Sequence, residues 1–285
     1  MKIKQIVVAV AVLAIIAYLY NLPLIGLIKP KQEKGTGMVA SSTASRPVTN
    51  ITVDMVSASA KALIGADQSA KIAGLETQLK NTPTDADKLA LQKQLANAWD
   101  GVNQPAPAAF YYQAIAEKSN RAADWIAAGN AFNDAYKQTQ DTTAQPAFDA
   151  NAVAAFQNAM KLDPESLDAK TGLGVAYVNG GGTPMQGIAL LLDVVSKDPN
   201  NRNAVFNLGL FAMRSGQFDK AVGRFKTVIA IDKKPEVEPY FYLAESYKQL
   251  GMKKEAIDAY QQCKKLITDP AVDTKIDAYI NELKN

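Results

Sequence analysis

The sequence predicts an all-α protein. It has an apolar N-terminal helix of membrane-spanning length, a linker, and a solenoid of about five helix-turn-helix units with capping helices. Three observations carry this. Ile6 to Ile28 is a run of 23 residues without a charge. A set of small and aromatic residues returns every 35 positions between 173 and 260. Apolar residues make up 48% of the 285-residue chain, enough to fill a core.

The N-terminal run comes first. As a helix it would reach about 34 Å, against a hydrocarbon core of about 30 Å. Tyr18, Tyr20, Asn21 and Pro23 lie toward its far end, where interfacial residues and a kink are accommodated. No small-x-small cleavage site follows, and no cysteine lies near the N-terminus to take a lipid. Residues 1–28 are therefore expected to be an uncleaved signal anchor. Lys2 and Lys4 precede the span and Lys29, Lys31 and Lys34 follow it, nearly balancing the positive-inside rule. A short tail left in the cytoplasm would place residues 29–285 outside a bacterial inner membrane, in the periplasm, and this orientation is preferred.

Residues 29–50 are rich in Pro, Gly, Ser and Thr and lack apolar periodicity. They read as a flexible linker with ends about 25 Å apart. Residues 1–50 hold six basic groups and one acid, whereas 51–285 are close to neutral. The basic excess thus flanks the span and does not form the clustered patch that nucleic-acid binding requires, so no nucleic-acid partner is expected.

The repeat occupies 51–285. Leu173-Gly174 with Tyr177, Leu208-Gly209 with Ala212, and Leu243-Ala244 with Tyr247 recur at a spacing of 35. Gly216, Ala221 and Phe225 are followed 35 residues later by Gly251, Ala256 and Tyr260. The units close on Asp163-Pro164, Asp198-Pro199, Lys234-Pro235 and Asp269-Pro270. Trp125, Gly129, Phe132, Ala152 and Phe156 extend the pattern backwards, as do Leu95, Ala96, Trp99, Ala108 and Tyr112. This pattern resembles the tetratricopeptide repeat (TPR), and the resemblance implies a right-handed solenoid of paired helices. Five units follow: 89–121, 122–166, 167–201, 202–236 and 237–270. About eleven extra residues within Lys137–Asp149 lengthen the turn of the second. In the third, the 180–184 turn adds a residue and Gly187 replaces alanine, so a loose start to its second helix is expected.

Packing explains the residue types. Gly174, Gly209, Ala221, Ala244 and Ala256 let paired helices approach, while Tyr177, Phe225 and Tyr260 fill the space beside them. Each proline forces its predecessor out of helical geometry. At the C-terminus, Val272, Ile276, Tyr279, Ile280 and Leu283 fall at helical spacing after Pro270, which predicts a capping helix over 271–284. Residues 53–80 show helical patterning broken by Gly65 and Gly74, equally consistent with one cap helix or a sixth degenerate repeat.

Catalytic chemistry finds no foothold. The chain has no histidine, which removes Ser-His-Asp and Cys-His mechanisms and imidazole metal sites. Cys263, the single cysteine, replaces small apolar residues of neighbouring units and reads as core. The glycines at 172, 174 and 180–182 lack the Gly-Lys-Ser/Thr ending of a phosphate loop. Asp85, Asp87, Asp163 and Asp168 sit at helix starts, where acids favour the macrodipole. No enzyme activity, cofactor or metal is expected.

Binding is the remaining function. In TPR proteins the first helices of successive units line a concave surface that takes partner peptides or helices. The resemblance places Lys93, Asn97, Asn130, Val175, Val178, Phe206, Leu210, Met213, Phe241 and Glu245 on it, with Ile126, Asn133 and Thr171. This face runs from amides and a lysine to Val, Phe, Leu and Met. Lys93, Asn97 and Asn130 echo part of a carboxylate clamp known in TPR co-chaperones, but Ala127, Asp168 and Gly172 stand where its other members would be. The apolar stretch suits a helix or apolar peptide of a partner. The other reading is coverage by the C-terminal helix, by 53–80 or by a second copy, which leaves self-association open. The expected role is a membrane-tethered scaffold or adaptor, with service to a secretion or envelope-assembly machine suggested by architectural analogy. The alternatives are a structural subunit of a membrane complex and a cytosol-facing receptor or co-chaperone.

Overall fold

The computed structural model describes residues 50–180 and 182–284. The anchor expected over 1–28 and nearly all of the linker lie outside the described residues. Among those described, no helix is long and apolar enough to cross a membrane.

Thirteen helices and no strand are found among the described residues. Two precede the units, α1 (Val53–Lys61) and α2 (Ala66–Asn81). Five pairs follow: α3 (Asp85–Asp100) with α4 (Pro105–Ser119), α5 (Ala122–Gln138) with α6 (Gln145–Leu162), α7 (Leu167–Asn179) with α8 (Pro184–Lys197), α9 (Arg202–Arg214) with α10 (Phe218–Ile231), and α11 (Val237–Gln249) with α12 (Lys253–Leu266). The last helix, α13, is Pro270–Lys284. From α2 onward each helix packs on the next, so the described residues form an all-helical, TPR-like solenoid.

Local chemistry sets the boundaries. Thr84, Ser166 and Asn201 cap α3, α7 and α9 by accepting from the backbone N–H three residues on. Prolines open α4, α6 and α8, where a missing N–H costs nothing. Gly216 and Gly251 turn the last two pairs at φ +73°, a left-handed conformation that side chains resist.

The core runs through the stack as linked clusters. Phe132, Phe148 and Phe156 dominate the second unit, and Phe225 and Tyr260 the last two. Glycine sets the closest approaches. The Phe156 ring lies between Gly129 of α5 and Gly172 of α7: a Cβ would come within 2.7 Å of it at the first and 2.1 Å at the second. A Cβ on Gly187 would meet the Gly174 carbonyl at 2.4 Å. The third pair is therefore drawn tightly together at Gly187, while its second helix starts without a side-chain cap. The extra residues of the second unit form a short turn and longer helices, α6 reaching 18 residues.

Residues 53–80 form neither a single cap helix nor a sixth repeat. Helix α2 packs on α3, but α1 packs on α4, a second helix, where a repeat would place it against a first helix. Glu76 of α2 holds it there, accepting hydrogen bonds from Ser57 and Lys61 of α1 and, at 3.5 Å, from the Tyr111 hydroxyl of α4. Burial and the neighbouring acids Glu76 and Asp54 push the Tyr111 phenol up. Glu76→Ala is expected to destabilise α1 by about 2 kcal/mol, since hydrogen bonds to a charged group are lost together. Amide exchange should quicken over 53–61 and stay unchanged in α9–α13. Uniform quickening would show that α1 is not held by this residue.

Candidate functional site

The first helices α3, α5, α7, α9 and α11 carry the residues expected on the concave face. They divide into an exposed set and an enclosed set. Lys93 and Asn97 of α3 and Asn130 of α5 are exposed, with Ile126 half-buried between them. Asn133, one turn beyond Asn130, is buried and donates to the Gly172 carbonyl at 3.1 Å. Arg121 beside Asp124 holds that carboxyl below its ordinary range, with further contributions from Ser119 and Lys93.

Beyond Asn133 the face closes. Val175 and Val178 are 5% and 9% exposed and pack with Leu191, Val194, Leu208 and Phe211. Phe206 is 9% exposed, with its ring 5.8 Å from both Phe225 and Tyr242 and the Arg202 guanidinium over it. Leu210 and Met213 are half-buried against the same cluster. Phe241 is half-buried against Tyr242, Tyr260 and Tyr279, the last contributed by α13. Glu245 accepts from the Tyr260 hydroxyl, and burial together with this contact pushes that phenol up.

The first helices also differ in how closely they approach one another. Helix α5 touches α7, α7 touches α9 and α9 touches α11, whereas α3 and α5 make at most a marginal contact. Where first helices touch, apolar residues facing the next unit become core. On α3 and α5 the polar residues Lys93, Asn97 and Asn130 stay exposed. Val175, Val178 and Phe206, expected on an open surface, are therefore packed between units in this chain.

Sequence reasoning missed three clefts, all beside second helices. One, of about 450 Å³, lies between the start of α1, α4 and α6, lined by Ile51, Phe110, Tyr111 and Ala147. A second, about 550 Å³, is bounded by α1 and the 139–144 turn, with Met55, Leu63, Pro105 and Phe148 on its walls. Met55 and Leu63 are 53% and 75% exposed there, and that apolar exposure within 53–80 was the available signal.

The third cleft, about 360 Å³, lies between α6 and the α7–α8 turn and includes Asp149, Gln157, Tyr177, Gly180 and Gly182. Burial, with no cation to offset it, pushes the Asp149 carboxyl up to about 6. The folded chain keeps this proton up to about pH 6, while an unfolded aspartate loses it near 3.8. Stability should therefore fall as the pH rises from about 4 to about 6 and remain lower above that. Asp149→Asn is expected to raise stability at pH 7 by about 1 kcal/mol after solvent screening, read as a higher melting temperature, and to change it little at pH 3.5. Equal effects at both pH values would contradict this assignment.

Among the described residues no cluster of His, Cys, Asp and Glu is arranged to hold a metal. Cys263 is buried, its thiol pushed up to about 12 by burial, so it is inert.

With this geometry in view, the family models match residues 204–238 and 240–266, both as tetratricopeptide repeat. Residues 204–266 carry two TPR repeats. Among solved structures it is similar to PilW, described as a widely conserved type IV pilus biogenesis factor, at 17% identity and a TM-score of 0.51, over 80% of this chain and 100% of that one. It is similar to MamA of Desulfovibrio magneticus RS-1 at 19% identity and a TM-score of 0.45, over 63% of this chain and 95% of that one. YrrB, described as a TPR protein with an unusual peptide-binding site, gives 17% and 0.42, over 72% and 97%. At these identities the likeness to PilW carries the fold alone. No curated protein matches the chain.

Proposed function

We propose that this chain is a non-catalytic, membrane-tethered interaction scaffold that binds a peptide or helix of a protein partner along its first helices, entering where α3 and α5 part. The exposed row of Lys93, Asn97 and Asn130 carries this reading. It offers a cation and two amides, donors and acceptors that an extended or helical segment can satisfy. Leu210, Met213, Phe241 and Glu245, half-buried farther along, would form the margin of the site. Lys93→Ala, Asn97→Ala and Asn130→Ala combined should leave melting nearly unchanged, because surface changes away from packing cost little. The same variant should lose the protein that co-isolates with the full chain from native membranes. Retention of that protein by a folded variant would refute the site.

The tether rests on the uncharged 6–28 run. It supports a single-pass protein of the bacterial inner membrane with the solenoid in the periplasm. Tethering raises the local concentration of the scaffold near membrane partners, which suits an accessory factor of a secretion or envelope-assembly machine. The full chain should stay with membranes through alkaline extraction, and a chain lacking 1–28 should not.

A second reading has its own support. Met55, Leu63, Met185 and Leu192 are exposed apolar side chains outside the first-helix face. They fit a structural subunit whose second-helix side is covered in a larger complex. Stoichiometric co-purification without a free pool would favour it.

A further inference from the structure

The cleft between α6 and the α7–α8 turn holds a carboxylate without a partner. Asp149 Oδ1 is closed off from solvent and has no hydrogen-bond donor within reach. Such groups cost free energy unless something meets them. No ion pair involving Asp149 forms among the described residues. Arg214, which reaches toward this turn, is committed to the Asn179 side-chain oxygen at 3.2 Å and to the face of Phe211.

The turn is shaped around the carboxylate. A Cβ on Gly180 would fall 1.9 Å from Asp149 Oδ2, so only glycine leaves that oxygen its place. Gly182 also lines the cleft and faces open space. Tyr177 forms another wall, its hydroxyl held by the Gln157 amide at 3.3 Å. The cleft, about 360 Å³, has room for one side chain. Its chemistry is therefore a half-buried acid in a cleft shared with an aromatic ring.

We propose that this cleft is a second docking site, which receives an arginine side chain of a protein partner. The planar guanidinium donates to Asp149 Oδ2, the carboxylate oxygen that is not closed off, and lies against the Tyr177 ring. Arginine fits better than lysine because it is more weakly hydrated and presents several donors in one plane. The site is independent of the Lys93–Asn130 row, since its main wall is the second helix α6. Loss of one leaves the other open to test.

The experiment is an amide-resolved NMR titration of the full chain at pH 7.5 with N-acetyl-arginine methylamide. N-acetyl-citrulline methylamide, of the same shape without the charge, is the control. Arginine should shift the Tyr177, Gly180, Gly182 and Thr183 amides saturably, with a Kd of ~1 mM, the range open to one side chain in a small cleft. Citrulline should bind at least tenfold more weakly, as should arginine to the Asp149→Asn variant, whose fold is checked by melting. Equal shifts with citrulline, unchanged arginine binding by Asp149→Asn, or no saturable shift would each overturn the proposal.

Discussion

Gly172→Ala is expected to lower stability by about 3 kcal/mol, or on the order of 10 °C in melting temperature, although it adds only one methyl group. The Phe156 ring is fully buried and fills the space that separates α5 from α7. A methyl at 172 would lie 2.1 Å from its edge, and retreat toward α5 is blocked by the contact with Gly129. The strain should therefore be relieved by shrinking the ring. Phe156→Leu alone should destabilise, yet in the Gly172→Ala background it should recover at least half of the loss. That non-additivity marks two residues in direct contact. A Gly172→Ala protein that melts like the parent would show that the first helices are not held at this spacing.

The second large effect separates core from surface on the first-helix face. Phe206→Ala should cost about 3 kcal/mol, because it empties a site enclosed by Phe225, Tyr242 and Arg202. Phe206→Asp should cost more, since it places a charge among those rings. Lys93→Ala, at an equivalent position of the first unit, should fall within about 0.5 kcal/mol of the parent. Equal, small effects at both positions would mean that the whole face is open, and the division drawn here would fail.

The repeat units were legible because their determinants recur at a fixed spacing. Gly129, Gly174 and Gly209 each stand against Phe156, Leu191 or Phe225, and the period of 35 exposes such residues without any structure. The openness of the groove was not legible. Periodicity places Val175 and Phe206 on the side of the helix that faces the neighbouring units, but how closely those units approach depends on glycines such as Gly172, which lie off the consensus. The position of α1 was hidden for another reason. Glu76 gathers Ser57, Lys61 and Tyr111 through polar contacts across 15 to 35 residues, and such contacts leave no period to read. Asp149 was missed because it lies in the lengthened start of α6, where the pattern has no counterpart. Lys93, Asn97 and Asn130 were placed on the first-helix face by resemblance, and the structure shows all three exposed.

Photocrosslinking from Asn130 in native membranes tests the central claim most directly, with Asn97 as a second first-helix position and Ser196, exposed on α8, as the second-helix control. An open binding groove predicts that Asn97 and Asn130 capture the same foreign protein, that Ser196 does not, and that Lys93→Ala with Asn97→Ala reduces capture at Asn130. Adducts from Asn130 only to this chain's own residues or to a second copy, or capture equal to that at Ser196, would contradict a binding site on the first helices.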